Sequence, residues 1–223
     1  MLAAHDNFYL AEADGSGLRQ FGSTGIDGGS VRFNDGKVDP WGRFLAGTMD
    51  WGHGGPVASL YMLSGDGTVT TLLDGVVISN GLAWSADGAT LYYIDTRRES
   101  VDAFDIDKKT GKLSGRRVVA EISDVSPDGM AIDDDGCLWV ALWGGSRVQR
   151  VEPAGGSFLE AIELPTSHVS SVAFGGPHLD ELYITTAKDG LSAEQLDAEV
   201  HAGDLFVAHP GVSGPAPNRF KLS

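Results

Sequence analysis

The sequence predicts an all-β protein built from repeated four-stranded sheets, and three observations lead to this prediction. The apolar segments are short, rich in β-branched and aromatic residues, and separated by turn formers that include many of the 31 glycines. One strand–turn–strand layout occurs four times, which places Asp35, Asn80, Asp128 and Ser170 in register. The spacings are 45, 48 and 42 residues. A period of about 40 to 50 residues with four short strands per unit is typical of a β-propeller.

The first copy of the layout begins with a polar cluster. Arg32, Asn34 and Asp35 follow a short apolar start, and Gly36 comes directly after them. We predict a tight turn closed by Gly36, because Asp-Gly is a common turn pair. A second turn is predicted at 39–42, where Asp, Pro and Gly favour it through side-chain hydrogen bonds, a fixed φ and access to positive φ, respectively.

The other predicted elements repeat this pattern along the chain. In each copy an inner strand leads through a turn into a second strand. The pairs are 37–39 with 44–48, 79–84 with 90–95, 127–132 with 137–142, and 170–174 with 181–185. Further strands are predicted at 8–11, 18–21, 100–104 and 116–120. One surface helix is predicted at 192–199 with Ser192 as its N-cap.

Composition excludes several classes of partner. The formal net charge of −15 argues against nucleic acid, because phosphate binding requires a basic surface. No apolar run approaches the roughly 20 residues of a membrane helix. The first six residues lack the features of a secretory signal, and the single cysteine, Cys137, fits a reducing compartment. We therefore expect a cytoplasmic protein with no nucleic-acid or membrane partner.

The register also predicts where chemistry is concentrated. The start of the innermost strand is the equivalent place in every propeller blade, so Asp35, Asn80 and Asp128 are expected to converge on the central axis. Their oxygens suit a hard divalent cation such as Ca²⁺, while Zn²⁺, Mn²⁺ and Mg²⁺ remain open. A competing interpretation is that the Asp-Gly and Asn-Gly pairs only form tight turns. Arg32 and Asn34 favour a binding site, because they supply donors for sugar-like oxygens; otherwise Arg32 simply pairs with Asp35.

Three motifs carry a resemblance to a known family. They are Arg-Phe-Asn-Asp-Gly-Lys-Val-Asp-Pro at 32–40, Ile-Ser-Asn-Gly-Leu at 78–82 and Pro-Asp-Gly-Met-Ala-Ile-Asp at 127–133. With them, nearly the whole chain resembles the SMP-30/gluconolactonase/regucalcin family. The resemblance implies a six-bladed propeller that hydrolyses sugar-type lactones with one divalent metal on its channel axis. It further implies that Asn80 and Asp128 are metal ligands, and that Arg32 and Asn34 contact the substrate.

The sequence departs from the family pattern in two places. The family's first metal ligand, a Glu in an N-terminal Glu-Gly-Pro type motif, has no counterpart here. Residues 1–223 are therefore expected to form one shortened propeller domain of about four and a half blades, and self-association is one way to cover its open edge. After Met49 the family often carries an acidic substrate contact, for which Asp50 and His53 are the candidate replacements here.

The expected reaction is metal-assisted hydrolysis of a sugar lactone. The cation polarises the lactone carbonyl, and Asp128 both binds the metal and accepts the proton of the attacking water. Arg32 and Asn34 orient the ring hydroxyls. The alternative is a non-catalytic metal- or protein-binding propeller, which the missing Glu favours. The sequence contains no Gly-x-Ser-x-Gly elbow, phosphate-binding loop or His-Glu-x-x-His motif that would indicate another chemistry.

Overall fold

The computed structural model describes residues 1–26, 29–52 and 54–223. Over these ranges the chain is almost entirely β-structure, with one 3₁₀ turn at Thr96–Arg98 and one helix, α1 (Ala193–Ala198). The strands are β1 (Leu2–Ala4), β2 (Asn7–Leu10), β3 (Arg19–Ser23), β4 (Val31–Val38), β5 (Phe44–Asp50), β6 (Ala58–Leu63), β7 (Val69–Val76), β8 (Ser79–Trp84), β9 (Thr90–Asp95), β10 (Ser100–Ile106), β11 (Leu113–Glu121), β12 (Ser126–Ile132), β13 (Leu138–Trp143), β14 (Arg147–Glu152), β15 (Ser157–Glu163), β16 (Val169–Gly175), β17 (Glu181–Thr186) and β18 (Leu205–Ala208). None of the described helices is long and apolar enough to cross a membrane.

The strands form five antiparallel sheets in which consecutive strands pair. The sheets are β1–β3, β4–β7, β8–β11, β12–β15 and β16–β18, so three have four strands and two have three. Eighteen strands in the described ranges correspond to four and a half four-stranded units. The all-β prediction of repeated four-stranded units is therefore confirmed.

The chain divides into two units, each of which is compact by itself. Unit 1 contains Met1–Asn80, Ile106–Ser114 and Pro217–Ser223, and its core includes Phe8 and Leu63. Unit 2 contains Gly81–Asp105 and Gly115–Ala216. Its two cores bring together the inner strands of neighbouring sheets, and buried Trp139 lies in one of them.

The turn predicted at 39–42 is confirmed, and a buried carboxylate holds it. Asp39 is fully buried and accepts hydrogen bonds from the backbone N–H of Trp41 at 3.0 Å and of Arg43 at 2.8 Å. The Nε of Arg43 donates to the other Asp39 oxygen at 2.6 Å. Gly42 closes this turn with a φ of 91°, which a residue with a side chain rarely adopts. The helix prediction is confirmed as well, since Ser192 caps α1 in a capping box.

The turn predicted at Gly36 is wrong. Strand β4 runs without interruption through this glycine to Val38. Its register with β5 shifts between Phe33 and Gly36, so that two residues, Asn34 and Asp35, occupy the space of one partner residue. The segment is thus a β-bulge, in which the strand bends and a side chain is turned in a new direction.

Register shifts occur at the equivalent position in two other sheets. Between β12 and β13 the shift lies at Asp128 and Gly129, and between β16 and β17 it lies at Ser170. Asn80 likewise lies inside a strand, β8. The interpretation of the Asp-Gly and Asn-Gly pairs as tight turns is therefore wrong, and bulges of this kind are common beside functional sites.

Candidate functional site

Three of the four predicted site residues form one hydrogen-bonded chain in unit 1. Nη1 of Arg32 donates to Oδ1 of Asn34 at 3.0 Å. Nδ2 of Asn34 then donates to Oδ1 of Asn80 at 2.9 Å, which joins residues 46 positions apart in the sequence. The two predicted substrate contacts are thereby linked to one predicted metal ligand.

Backbone pairing places these side chains beside one another. Met49, near the end of β5, pairs with Arg32 on one side and forms a bridge to Ile78 on the other. Nδ2 of Asn34 also donates to the carbonyl oxygen of Ser79 at 2.9 Å. Gly47 makes this approach possible, because a Cβ at that position would lie 1.8 Å from Oγ of Ser79. The bulge and this glycine together bring Asn34 to Asn80.

The alternative interpretation expected Arg32 to pair with Asp35. The structure does not show this pair. Nη1 of Arg32 also donates to the carbonyl oxygen of Phe33 at 3.0 Å, and its guanidinium lies 5.0 Å from the ring centroid of Trp51. The ion pairs formed by the described residues do not include Arg32. Its cation is therefore suited to a carbonyl or hydroxyl oxygen of a ligand.

Asp35 takes a different role from its neighbour Asn34. Its carboxylate accepts the backbone N–H of Gly36 at 2.7 Å. Burial raises the pKa of Asp35, while the nearby Lys37 cation opposes that rise. Burial likewise lowers the pKa of Lys37, and the Asp35 carboxylate counteracts this shift. Sequence reasoning missed Lys37, for which the visible signal was a charged residue inside a strand next to the polar cluster.

Asp50 and His53 are the candidate replacements for the family's acidic substrate contact after Met49. Asp50 shapes the following turn, because its two carboxylate oxygens accept the backbone N–H groups of Gly52 at 3.2 Å and Gly54 at 3.0 Å. His53 lies outside the described residues. The side chain of this segment that contacts Arg32 is Trp51, which sequence reasoning missed although an aromatic residue before a glycine-rich turn was a visible signal.

Asp128, the fourth predicted site residue, belongs to unit 2. It is half-buried in the bulge of β12, and its backbone is closely packed by neighbouring strands. A Cβ at Gly81 would lie 2.8 Å from the Asp128 carbonyl oxygen, and one at Gly129 would lie 2.2 Å from Oγ of Ser171. Oγ1 of Thr96 donates to the carbonyl oxygen of the preceding residue, Pro127, at 2.8 Å. These close contacts hold the backbone of Asp128 in a defined place within unit 2.

The predicted donor set fits a hard cation in its chemistry. Among the described residues, no group of three His, Cys, Asp or Glu side chains is arranged to hold a metal ion. Asn80 and Asp128 offer an amide and a carboxylate oxygen, which are the ligand types of Ca²⁺. An amide oxygen has two lone pairs. The hydrogen bond from Asn34 orients the oxygen of Asn80, as hydrogen bonds from neighbouring residues commonly orient the ligands of a metal.

Comparison with known proteins identifies the family. The sequence model of the SMP-30/Gluconolactonase/LRE-like region matches residues 1–188. The chain belongs to this family. Regucalcin from Macaca fascicularis is 46% identical over 194 residues, which cover 83% of this chain and 65% of that protein. The chain therefore spans just under two thirds of the length of this relative.

Solved structures of family relatives support the fold. A luciferin-regenerating enzyme is 34% identical with a TM-score of 0.90, and the match covers 98% of this chain and 76% of that one. Regucalcin from Agrobacterium tumefaciens, described as a calcium-binding protein, is 27% identical with a TM-score of 0.91, covering 99% of this chain and 75% of that one. The predicted class, an incomplete β-propeller with four-stranded blades, is confirmed.

Proposed function

We propose that this protein hydrolyses sugar-type lactones, with a divalent cation as cofactor and Asn80 and Asp128 as its protein ligands. The observation that carries the proposal is the hydrogen-bonded chain Arg32–Asn34–Asn80, because it links the guanidinium donor of Arg32, through the amide of Asn34, to a metal-type oxygen. Membership of a family described by the name gluconolactonase supports the reaction class. The calcium-binding description of the Agrobacterium relative supports the cofactor class.

Each of these residues has a chemical role in the proposed reaction. The guanidinium of Arg32 donates to a ring or carbonyl oxygen of the lactone, and its contacts with Asn34 and Trp51 hold it in one orientation. The Asp128 carboxylate accepts a proton from the attacking water. A cation bound by Asn80 and Asp128 would supply Lewis-acid polarisation of the lactone carbonyl.

Alanine variants test the proposal. Lactone opening is measured with a panel of aldonolactones in the presence of Ca²⁺, Zn²⁺, Mn²⁺ or Mg²⁺. Asp128→Ala and Asn80→Ala are expected to lose both hydrolysis and cation binding, whereas Asp180→Ala, which removes an exposed carboxylate of unit 2, retains both. Hydrolysis at the wild-type rate in Asp128→Ala contradicts the proposed role of this carboxylate.

A second candidate function is a metal- or protein-binding propeller without catalysis. The observation that favours it is the lack of an acidic ligand cluster, since no group of three His, Cys, Asp or Glu side chains that could hold a metal ion is found in the described ranges. Ca²⁺ prefers about six to eight oxygen ligands, so two protein ligands leave most positions to water. Calorimetry that detects cation binding, with no hydrolysis of any lactone in the panel, supports this candidate over the lactonase.

We also propose that the chain associates with a second copy through the last sheet. Among the described strands, β18 pairs only with β17, and Leu205 and Val207 on it are 63% and 54% exposed. Tyr183, which pairs with Val207, adds a third exposed apolar side chain to the same face. Replacing Leu205 and Val207 with Ser is expected to reduce the mass measured by light scattering to that of a monomer. A wild-type protein that is monomeric at all concentrations contradicts this proposal.

A further inference from the structure

We propose that Trp51 contacts the substrate and selects sugar-type lactones that carry an apolar substituent over fully hydroxylated ones. The proposal rests on the proposed lactonase function and names a substrate class for it. Its basis is the indole beside Arg32, the residue to which substrate binding is assigned above. All of the residues involved belong to unit 1.

The backbone holds Trp51 in a defined place. The residue follows β5, and its N–H donates to the carbonyl oxygen of Ser30 at 2.9 Å, just before Val31 begins β4. Val31 pairs with Asp50, and Asp50 in turn accepts two N–H groups of the turn after Trp51. The indole is therefore carried at the start of β4, where Arg32 also lies.

Trp51 remains 59% exposed although it has a large apolar side chain. One guanidinium lies over its ring at 5.0 Å, a distance typical of a cation–π contact. Trp51 and Arg32 together present an apolar surface next to a donor group. A ligand that fits both has a polar oxygen for Arg32 and a hydrocarbon part for the indole.

A second Trp–Arg pair in the same unit shows what a purely structural contact looks like. Arg43 also lies 5.0 Å from a Trp ring, that of Trp41. However, Arg43 is bound to the fully buried carboxylate of Asp39 at 2.6 Å, and its side chain is only 11% exposed. Arg32 has no such ion pair among the described residues. The Arg32–Trp51 pair thus lies at the surface, and the N–H donors of Arg32 are not bound to a carboxylate of the described residues.

A pair of substrates tests the selection. Two lactones with the same ring are compared, one with hydroxyls only and one in which an aryl or alkyl group replaces a hydroxyl. We expect the wild type to prefer the substituted lactone. Trp51→Ala is expected to lower kcat/KM for it about tenfold, mainly through KM, while changing that for the hydroxylated lactone less than about twofold. Trp51→Phe should recover most of the loss, and Trp41→Ala, the matched control, should keep the wild-type ratio.

A binding measurement separates this inference from the proposed reaction. The probe is the lactam analogue of the substituted lactone, which resists hydrolysis, and its Kd is measured by tryptophan fluorescence and calorimetry. If Trp51→Ala weakens lactam binding about tenfold although neither lactone is hydrolysed, the selection by Trp51 stands and the lactonase proposal fails. If the lactones are hydrolysed but Trp51→Ala changes neither their kcat/KM ratio nor lactam binding, the lactonase proposal stands and this inference is overturned. A wild type that binds no lactam and hydrolyses no lactone overturns both.

Discussion

Asn34 donates a hydrogen bond of 2.9 Å from Nδ2 to Oδ1 of Asn80, across 46 positions of the sequence. The bond fixes the orientation of the Asn80 amide, because the oxygen must face the donor. Asn80 is buried, so the bond lies away from bulk water and its removal is expected to cost stability. The relationship makes Asn34 a positioning residue for a proposed metal ligand as well as a proposed substrate contact.

The first prediction concerns Asn34. Asn34→Asp keeps an acceptor for Arg32 but removes the N–H groups that bind Asn80 and Ser79. We expect cation affinity to fall about 10- to 100-fold, as is usual when an outer partner of a metal ligand is removed. Isothermal titration with Ca²⁺ measures the effect. Asn218→Ala, which removes an exposed amide bound to the Val38 carbonyl, is the control, and equal affinity in both variants contradicts the role of Asn34.

The second prediction concerns Arg32. Arg32→Lys keeps the charge but loses the planar group that bonds to Asn34 and lies over Trp51. We expect kcat/KM for lactone hydrolysis to fall at least about tenfold, with the melting temperature nearly unchanged. Arg19→Lys, in which an exposed arginine over Phe21 is replaced, should match the wild type in both measurements. A fall in stability that accounts for the lost activity would contradict a role in substrate binding.

The third prediction concerns Gly129. A Cβ at this position would lie 2.8 Å from Cα of Ser171, so that β12 and β16 must move apart in Gly129→Ala. Overpacking of this kind typically costs about 1–3 kcal/mol of unfolding free energy. Urea unfolding measures the change. Gly55→Ala is the matched control, because its nearest neighbour would lie 3.8 Å away, and it should unfold as the wild type does. Equal stability of the two variants would refute the close approach of the strands.

The fourth prediction concerns the pH dependence that arises from Glu199. Its carboxylate accepts hydrogen bonds from the backbone N–H of Ser167 at 2.7 Å, from Oγ of Ser167 at 3.0 Å and from Oγ1 of Thr166 at 3.0 Å. These bonds, the backbone bond first, lower the pKa of Glu199 below its ordinary value of 4.5. A lowered pKa in the folded state means that the stabilisation is present above that ordinary value and is lost as pH falls through the folded-state pKa.

Melting temperatures of the wild type and of Glu199→Gln, measured from neutral pH to below 4.5, test the direction of this pKa shift. The variant should melt below the wild type at neutral pH, and the gap should narrow as pH falls below 4.5. Glu194→Gln, which changes an exposed acid in the first turn of α1, is the control. A gap that widens on acidification would show that the assigned shift has the wrong direction.

Much of the fold was predictable because local pattern and tertiary structure agree. The strands at 79–84 and 90–95 were predicted at the observed bounds of β8 and β9. The turn at Asp39 was predictable because its hydrogen bonds are local, between residues up to four apart. The register of the repeats also singles out Asn80 and Asp128 as candidate site residues.

The bulges were not predictable, because local preference and tertiary packing disagree there. Asp35-Gly36 favours a turn in isolation, but pairing with β5 on one side extends the strand through it. The glycines serve close packing instead, as at Gly81, where a Cβ would lie 2.6 Å from Cβ of Met130. Trp51 was missed for a similar reason, since its contact with Arg32 depends on strand pairing and not on spacing.

The most direct test of the central claim is the rate of aldonolactone opening by the wild-type chain, followed by acid release at constant pH. The measurement is made with an added divalent cation, after treatment with a chelator, and after the cation is restored. The account predicts hydrolysis that stops in the chelator and returns with Ca²⁺, Zn²⁺, Mn²⁺ or Mg²⁺. Hydrolysis that continues undiminished in the chelator contradicts it.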